Sequence, residues 1–246
     1  MAAIAGFATL GQGRSHASGP FRMTVLHGAF ERDRWLAGVA IDLDDGWKTY
    51  WRMPGEAGIP PQFDWTKSKG VGDVEVLYPL PQRLHDLSGE TVGYERRVIF
   101  PVIVTAANAE ETSLHLDLFF AVCKDICIPA KAEATLDARS TQAGEADQIE
   151  EWLKRVPVAG TAVQSVTAIM ESNETVLVTK LLQPAEDIFV ESASPAYFRK
   201  PVFSADGLEA RLSVDNVKAA SDLKGLELKL TVARGAAGVE QTVVVE

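Results

Sequence analysis

Cysteine, helical periodicity and basic charge are all scarce in this sequence. Only Cys123 and Cys127 occur among 246 residues, so a single pair of thiols has to be explained. No apolar run reaches the roughly 18 residues that a membrane-spanning helix needs. Basic residues number 24 against 34 acidic ones, and no window is densely basic, which excludes an electrostatic nucleic-acid-binding surface.

The residues that are present indicate a folded β protein. Hydrophobic side chains make up 46% of the chain, ample for packed cores and unlike a disordered or fibrous class. Apolar and polar residues alternate in short runs bounded by turn residues, a pattern typical of a β-sandwich. Seven runs predict the strands of one immunoglobulin-like domain, at 21–28, 35–43, 49–52, 74–78, 98–104, 114–123 and 132–136.

A short helix and a second set of strands follow. Residues 145–156 are acidic in the first turn and basic in the last, and Pro157 ends the run, as expected of a linker helix. The predicted fold class is all-β, with two tandem immunoglobulin-like β-sandwiches joined by a short helical linker. The second set of strands is predicted at 163–170, 176–182, 188–191, 197–203, 210–214, 226–232 and 239–245.

These patterns divide the chain into four segments. Residues 1–19 are expected to be a leader or signal remnant. They have the short apolar core and the small-x-small ending of a signal peptide but not its basic N-terminal region. Residues 20–140 form the first domain, 141–158 the linker and 159–246 the second sandwich. The last predicted strand has no polar tail after it, so we expect the chain to be part of a longer protein.

The strand that ends at Cys123 has two distinct faces. One is the predicted core face, and the other ends in Cys123, whose thiol we therefore expect to be within reach of a partner. Lys124 places a positive charge beside this sulfur and should favour its thiolate, while the negative charge of Asp125 has the opposite effect. Asp125 also suits a turn between the two cysteines. The core-face side chains are Leu114, Leu116, Leu118, Phe120 and Val122.

Four interpretations of the pair are open from the residues alone. A structural disulfide would require residues 124–126 to turn, and so small a loop contributes only about 2 kcal/mol in the chain-entropy model. A metal clip, with Cu(I) the best-suited ion, needs further ligands from His85, His115, Met53 or Met170, none at metal-site spacing. Two unpaired buried thiols would rarely fall so close together. The fourth interpretation is a redox pair.

Four segments of the first domain resemble one family. They are D-D-G-W-K-T-Y-W-R-M-P-G-E-A-G-I-P-P from Asp44, residues 74–81, G-E-T-V-G-Y-E-R-R-V-I-F-P-V from Gly89, and A-V-C-K-D-I-C-I-P-A from Ala121. Together they resemble the N-terminal periplasmic domain of the thiol:disulfide interchange protein DsbD, and most closely its relatives of the suppressor-of-copper-sensitivity (ScsB) group. The short cysteine spacing fits the ScsB relatives better than DsbD itself.

The resemblance implies a periplasmic immunoglobulin-like domain whose cysteine pair relays electrons. They would come from a thioredoxin-like domain, fed by a membrane-embedded domain of the same longer protein, and pass to periplasmic disulfide proteins. A thiolate attacks a disulfide sulfur, and the second cysteine resolves the mixed disulfide. Spacing does not decide which cysteine attacks first; we expect Cys127 to carry the mixed disulfide.

The resemblance also implies a cap that shields the pair between encounters. The segment in its place is L-H-D-L-S-G, with His85, Asp86 and Leu87 as the expected members, although the family has an aromatic where Leu87 stands. Of the aromatic partners near the pair, Tyr50 is retained and Lys48 replaces another. No cofactor and no metal ion are implied.

The leading hypothesis is therefore a periplasmic thiol–disulfide exchange module, a protein-disulfide reductase component acting through Cys123 and Cys127. One alternative is a copper-binding or copper-tolerance module that uses the same thiolates with Met or His. Another is a non-catalytic interaction domain. The second domain has no cysteine, and we expect it to be a spacer or a docking surface.

Overall fold

The computed structural model describes residues 19–55, 58–86, 89–140 and 143–246. Within these ranges the chain divides into two compact units made almost entirely of antiparallel β-sheets, which confirms the predicted fold class. The first unit comprises 19–52, 58–78 and 93–153, and the second comprises 53–55, 79–86, 89–92 and 154–246. No helix in the described ranges is long and apolar enough to cross a membrane.

Two sheets are built from the strands that precede the helix. One has the order β1-β2-β8-β5, and the other has the order β10-β9-β3-β7-β6, with β4 also paired to β9. Strand β6 and parts of β3 and β7 are grouped with the second unit. The strands are β1 (Phe21–Glu31), β2 (Arg34–Leu43), β3 (Lys48–Gly55), β4 (Gln62–Asp64), β5 (Val71–Val76), β6 (Gln82–Asp86), β7 (Gly89–Glu95), β8 (Arg97–Ala106), β9 (Ser113–Cys123) and β10 (Cys127–Asp137).

The core of the first unit lies where the predicted core face of β9 meets the opposite sheet. All five predicted side chains of that face are buried, because alternation points every second residue inward. Phe120 meets Phe21 of β1 edge-on, with ring centroids 4.8 Å apart. Trp35 and Phe100, on β2 and β8, are also fully buried.

The helix α1 (Glu145–Leu153) packs on the first unit. Its Ile149 is fully buried in a cluster with Leu26, Ala40 and Ile99. Gly38 permits this approach, since a Cβ there would lie 2.9 Å from Ile149 Cγ1. The predicted end at residue 156 and the basic last turn are wrong: α1 ends at Leu153, before the backbone restriction that Pro157 imposes.

The second unit contains a complete sandwich of its own. Its sheets have the orders β11-β19-β18-β14 and β12-β13-β17-β15, with β16 also paired to β17. Their inward side chains, such as Leu177, Leu212 and Leu230, form one buried cluster. The elements are β11 (Val158–Ala159), β12 (Val163–Glu171), β13 (Glu174–Leu181), β14 (Asp187–Ser192), β15 (Tyr197–Phe198), β16 (Val202–Phe203), β17 (Glu209–Asp215), a 3-10 helix (Ala220–Asp222), β18 (Glu227–Arg234) and β19 (Ala237–Val244).

A buried arginine ties β6 to β14 within the second unit. The Arg83 side chain is only 6% exposed, and its Nε donates to both carboxylate oxygens of Asp187 at 2.9 and 3.0 Å. Its Nη1 donates to Glu90, and its Nη2 donates to the Ile188 carbonyl at 2.9 Å. The guanidinium therefore has partners at all three nitrogens, as a buried charge requires.

Sequence patterns missed several short strands. Strands β4, β6, β7 and β11 were not predicted, because each is short or lacks a clear alternation of apolar and polar residues. The most consequential is β6: its residues 84–86 were expected to lie in a loop and instead form a strand paired with β7. Leu87, the remaining predicted cap residue, lies outside the described residues, as do residues 1–18 of the expected leader.

Candidate active site

Cys123 and Cys127 face each other across a hairpin. Cys123 is the last residue of β9, Cys127 is the first of β10, and the two are directly paired in the antiparallel register. Directly opposite residues in such a pair have Cα atoms about 4.5–5.5 Å apart, within the range that a disulfide requires. Residues 124–126 make the turn that bonding would need, and both cysteines are free thiols.

The two sulfurs differ sharply in exposure. Cys123 is 0% exposed, whereas Cys127 is partly exposed. The expectation that Cys123 is within reach of a partner is therefore wrong. Its side chain does lie on the face opposite the core, but Tyr50 of β3 and Ile59 pack with it in a second small cluster. The accessible sulfur belongs to Cys127.

Tyr50 brings a hydroxyl to the sulfurs. Its side chain is fully buried, and its Oη lies 2.9 Å from Cys127 Sγ. Burial, followed by the hydrogen bonds to Cys127 and then Cys123, raises the pKa of the Tyr50 phenol far above its ordinary value. The phenol thus stays protonated and can donate a hydrogen bond to a thiolate in its reach.

A buried lysine acts on Cys123. Lys48 is directly opposite Cys123 in the pairing of β3 with β9, and only 5% of it is exposed. Burial and the hydrogen bond with Cys127 raise the pKa of the Cys123 thiol, while the Tyr50 hydroxyl and the Lys48 charge partly offset that rise. Lys124, predicted to play this part, is exposed and donates from Nζ to the Asp45 carbonyl at 3.3 Å instead.

The part of the chain that carries the two thiols matches a known protein family. Residues 22–138 match the family described as thiol:disulfide interchange protein DsbD, N-terminal. Residues 22–138 are a DsbD N-terminal domain. The predicted resemblance is thereby confirmed for the part of the chain that carries both cysteines.

Two further comparisons extend beyond the DsbD N-terminal domain. Residues 155–246 match a family described as a domain of unknown function (DUF8393). The crystal structure of the N-terminal periplasmic domain of ScsB from Proteus mirabilis has the same fold, with a TM-score of 0.74 and 22% identity over 95% of this chain and 99% of that one. No curated protein matches the chain.

The expected cap residues of the DsbD N-terminal domain lie on β6 and after it. His85 is 63% exposed at its side chain, and its Nε2 lies 3.5 Å from Glu90 Oε2, so an ion pair forms only when the imidazole is protonated. Asp86 is the last residue of β6. His85 and Asp86 are grouped with the second unit, whereas Cys123, Cys127, Tyr50 and Lys124 belong to the first.

A cluster of three potential metal ligands lies on β9 and β10, away from the cysteines in the sequence of both strands. His115, Asp117 and Glu133 place ligand atoms within 4.8 Å of one another, and they are the one such group among the described residues. Lys67 already pairs with Asp117 at 2.7 Å, and His115 Nε2 lies 2.9 Å from Glu133. His115 thus faces carboxylates rather than supplying a ligand beside the thiols.

Sequence reasoning missed the apolar surroundings of the accessible sulfur. Ile126, in the turn, is 75% exposed, and Ile128, the residue after Cys127, is 44% exposed. Ile59 packs against the buried cluster of Tyr50, Ala121 and Cys123. The sequence did contain a signal for this surface: Ile126 lies in the turn between the two cysteines, where an apolar residue is unusual.

The buried Cys123 thiol makes stability of the reduced protein depend on pH. Its pKa is raised on folding, so the unfolded chain loses this proton first as the pH rises. The contribution of this thiol to the stability of the fold is thus fully present below the ordinary thiol pKa of about 8.5. It is lost as the pH rises through the pKa that the thiol has in the folded protein. We expect urea unfolding of the reduced chain to show a steeper loss of stability above about pH 8.5 than the same chain carrying Cys123→Ala. Equal slopes would contradict the burial of an un-ionised thiol.

Proposed function

We propose that the chain is a periplasmic thiol–disulfide exchange module, a protein-disulfide reductase component that relays electron pairs through Cys127 and Cys123. The observation that carries the proposal is the direct pairing of one accessible and one buried sulfur in a single hairpin. Attack on a partner needs access, and resolution needs a second sulfur within bonding distance. Membership of residues 22–138 in the DsbD N-terminal family supports it.

The reaction transfers two electrons in two steps. The Cys127 thiolate attacks one sulfur of the partner's disulfide, forms a mixed disulfide, and releases the partner's other sulfur as a thiolate. The Cys123 thiolate then attacks Cys127 Sγ and releases the partner's first sulfur. The partner leaves reduced, and the Cys123–Cys127 disulfide remains. A reduced thioredoxin-like domain restores both thiols by the same steps in reverse.

The surroundings of the pair support exchange over a structural crosslink. A disulfide that closes so short a turn contributes only about 2 kcal/mol in the chain-entropy model. A structural disulfide does not need a buried hydroxyl and a buried ammonium beside its sulfurs. Exchange requires thiolates to form there, and both groups stabilise a thiolate. We assign Tyr50 the role of donating to the Cys127 thiolate.

The remaining parts of the proposal rest on the family. The family resemblance assigns His85, Asp86 and Leu87 the role of a cap that limits access to the pair between partners. The donor is a thioredoxin-like domain fed by a membrane-embedded domain of the same longer protein, and the acceptors are periplasmic disulfide proteins.

The proposal is tested by electron transfer from a reduced thioredoxin-like domain to the oxidised full chain. Acid quenching, alkylation and intact mass analysis should show alkyl groups appearing on both Cys123 and Cys127, and none on a chain with both cysteines changed to serine. An intact disulfide after prolonged incubation would overturn the proposal. A parallel Cu(I) titration of the reduced chain distinguishes the copper hypothesis from the exchange proposal. The copper hypothesis requires tight Cu(I) binding that is lost on Cys123→Ser.

The exposed isoleucines predict how partners dock. A protein whose sulfur bonds to Cys127 comes close to its two sequence neighbours Ile126 and Ile128, which are 75% and 44% exposed. We expect Ile126→Ser to raise KM for a protein partner about tenfold, from the apolar burial lost, with kcat and the rate with dithiothreitol unchanged. Val202→Ser, in the second sandwich and 69% exposed, is the matched control. Equal KM values for the two variants would contradict the docking role.

A further inference from the structure

Lys48 is an unusual residue to find buried beside a thiol. Lysine side chains are mostly exposed in proteins, whereas only 5% of Lys48 is exposed. The residue is directly opposite Cys123 in the register of β3 and β9. Lys48 and Tyr50 alternate onto one face of β3, and the Lys48 Nζ lies 5.8 Å from the centroid of the Tyr50 ring. The ammonium is therefore held on the side of the sheet that carries Cys123.

The proposed reaction needs a negative charge on Cys123 twice. In the reducing direction Cys123 must be a thiolate to attack Cys127 Sγ. In the reverse direction a donor thiolate attacks Cys127 and Cys123 leaves as a thiolate, and a thiol with a lower pKa leaves faster. Full burial of Cys123 opposes both steps, because a low-dielectric environment disfavours the charged form.

The two sulfurs share one polar neighbour, and Cys123 has a second. Tyr50 Oη lies 2.9 Å from Cys127 Sγ and also hydrogen-bonds to Cys123, whereas Lys48 is opposite Cys123 in the strand register. The titratable groups that act on Cys123 are Cys127 from β10 and Tyr50 and Lys48 from β3, and Lys48 supplies the positive charge among them. The exposed Lys124 is directed to the Asp45 carbonyl.

We propose that Lys48 is a positioning residue for the resolving sulfur, whose buried ammonium stabilises the Cys123 thiolate as nucleophile and as leaving group. The inference rests on the proposed exchange function. It predicts that Lys48 changes the second step of the reaction, at Cys123, and leaves the first step, at Cys127, unchanged.

An aromatic disulfide reagent separates the two steps in the full chain. Reduced protein treated with stoichiometric 5,5′-dithiobis(2-nitrobenzoate) releases one coloured thiolate when Cys127 attacks and a second when Cys123 resolves the mixed disulfide. Lys48→Gln should slow the second release about tenfold at neutral pH and move its pH midpoint upward, since removal of a nearby opposite charge raises a thiol pKa. The first release should keep its rate and its pH dependence.

Lys48→Arg is the matched control, because it keeps the charge and changes the shape. It should retain a pH midpoint near that of the unaltered chain, and its ultraviolet thiolate absorbance should titrate likewise. Equal midpoints for the unaltered chain and Lys48→Gln, or an equal shift in the arginine and glutamine variants, would overturn the role of Lys48. Absence of the second release from the unaltered chain would instead overturn the exchange function itself.

Discussion

Cys123→Ser should lock the chain in a mixed disulfide with its partner, whereas Cys127→Ser should give almost none. The reason is geometric: Cys127 is the accessible sulfur, and Cys123 is fully buried beneath Tyr50 and Ile59. Without Cys123 no neighbouring thiolate resolves the bond at Cys127, so the complex accumulates. Without Cys127 the remaining thiol is buried and its pKa is raised, so it reacts slowly.

The measurement is non-reducing electrophoresis and mass spectrometry after each variant meets an oxidised partner. We expect the trapped fraction to be at least about tenfold higher for Cys123→Ser than for Cys127→Ser, because a thiol must be accessible to attack a protein disulfide. Each variant has a single cysteine and a single serine in the same hairpin, so each controls for the other. Equal trapping, or trapping through Cys123, would contradict the assignment of Cys127 as the attacking sulfur.

Arg83→Met should be the most destabilising single change outside the two sandwich cores. It leaves the carboxylates of Asp187 and Glu90, which are 17% and 14% exposed, without their shared cation. Breaking a buried ion pair from one side costs about 3–5 kcal/mol, because the remaining charges stay buried without compensation. Urea unfolding of the full chain measures this loss in the free energy of unfolding.

The control for Arg83 is another arginine with two carboxylate partners. Arg211 pairs with Glu171 and Glu209 at 2.8 Å, but 36% of its side chain is exposed. Arg211→Met should therefore cost much less than Arg83→Met, because exposed ion pairs contribute little to stability. Changing Glu90 and Asp187 to Gln and Asn together with Arg83→Met should recover part of the loss. Similar losses for the two single variants would contradict the role assigned to the buried network.

The parts of the site that lie close together in sequence were predictable. The alternation along β9 correctly separated a core face from the face of Cys123, and the residues between the cysteines correctly suggested a turn. Both features depend on local geometry, which strand periodicity and loop length specify. The helix was also predicted, although its end was placed too late.

The burial of Cys123 was not predictable in this way, because it depends on contacts between distant segments. Tyr50 and Cys127 are 77 residues apart, and only the register of β3 against β9 brings Lys48 opposite Cys123. A strand pattern shows which face a residue occupies but not what covers that face. The sequence therefore suggested Lys124, the cation nearest in the chain, in place of Lys48, which the strand register places opposite Cys123.

The most direct test of the central claim is the reduction potential of the Cys123–Cys127 pair in the full chain, equilibrated in graded glutathione redox buffers. An exchange-active pair predicts a value at or above that of thioredoxin, about −270 mV. A value below about −300 mV, together with no exchange with a thioredoxin-like domain, would identify a structural disulfide and contradict the account.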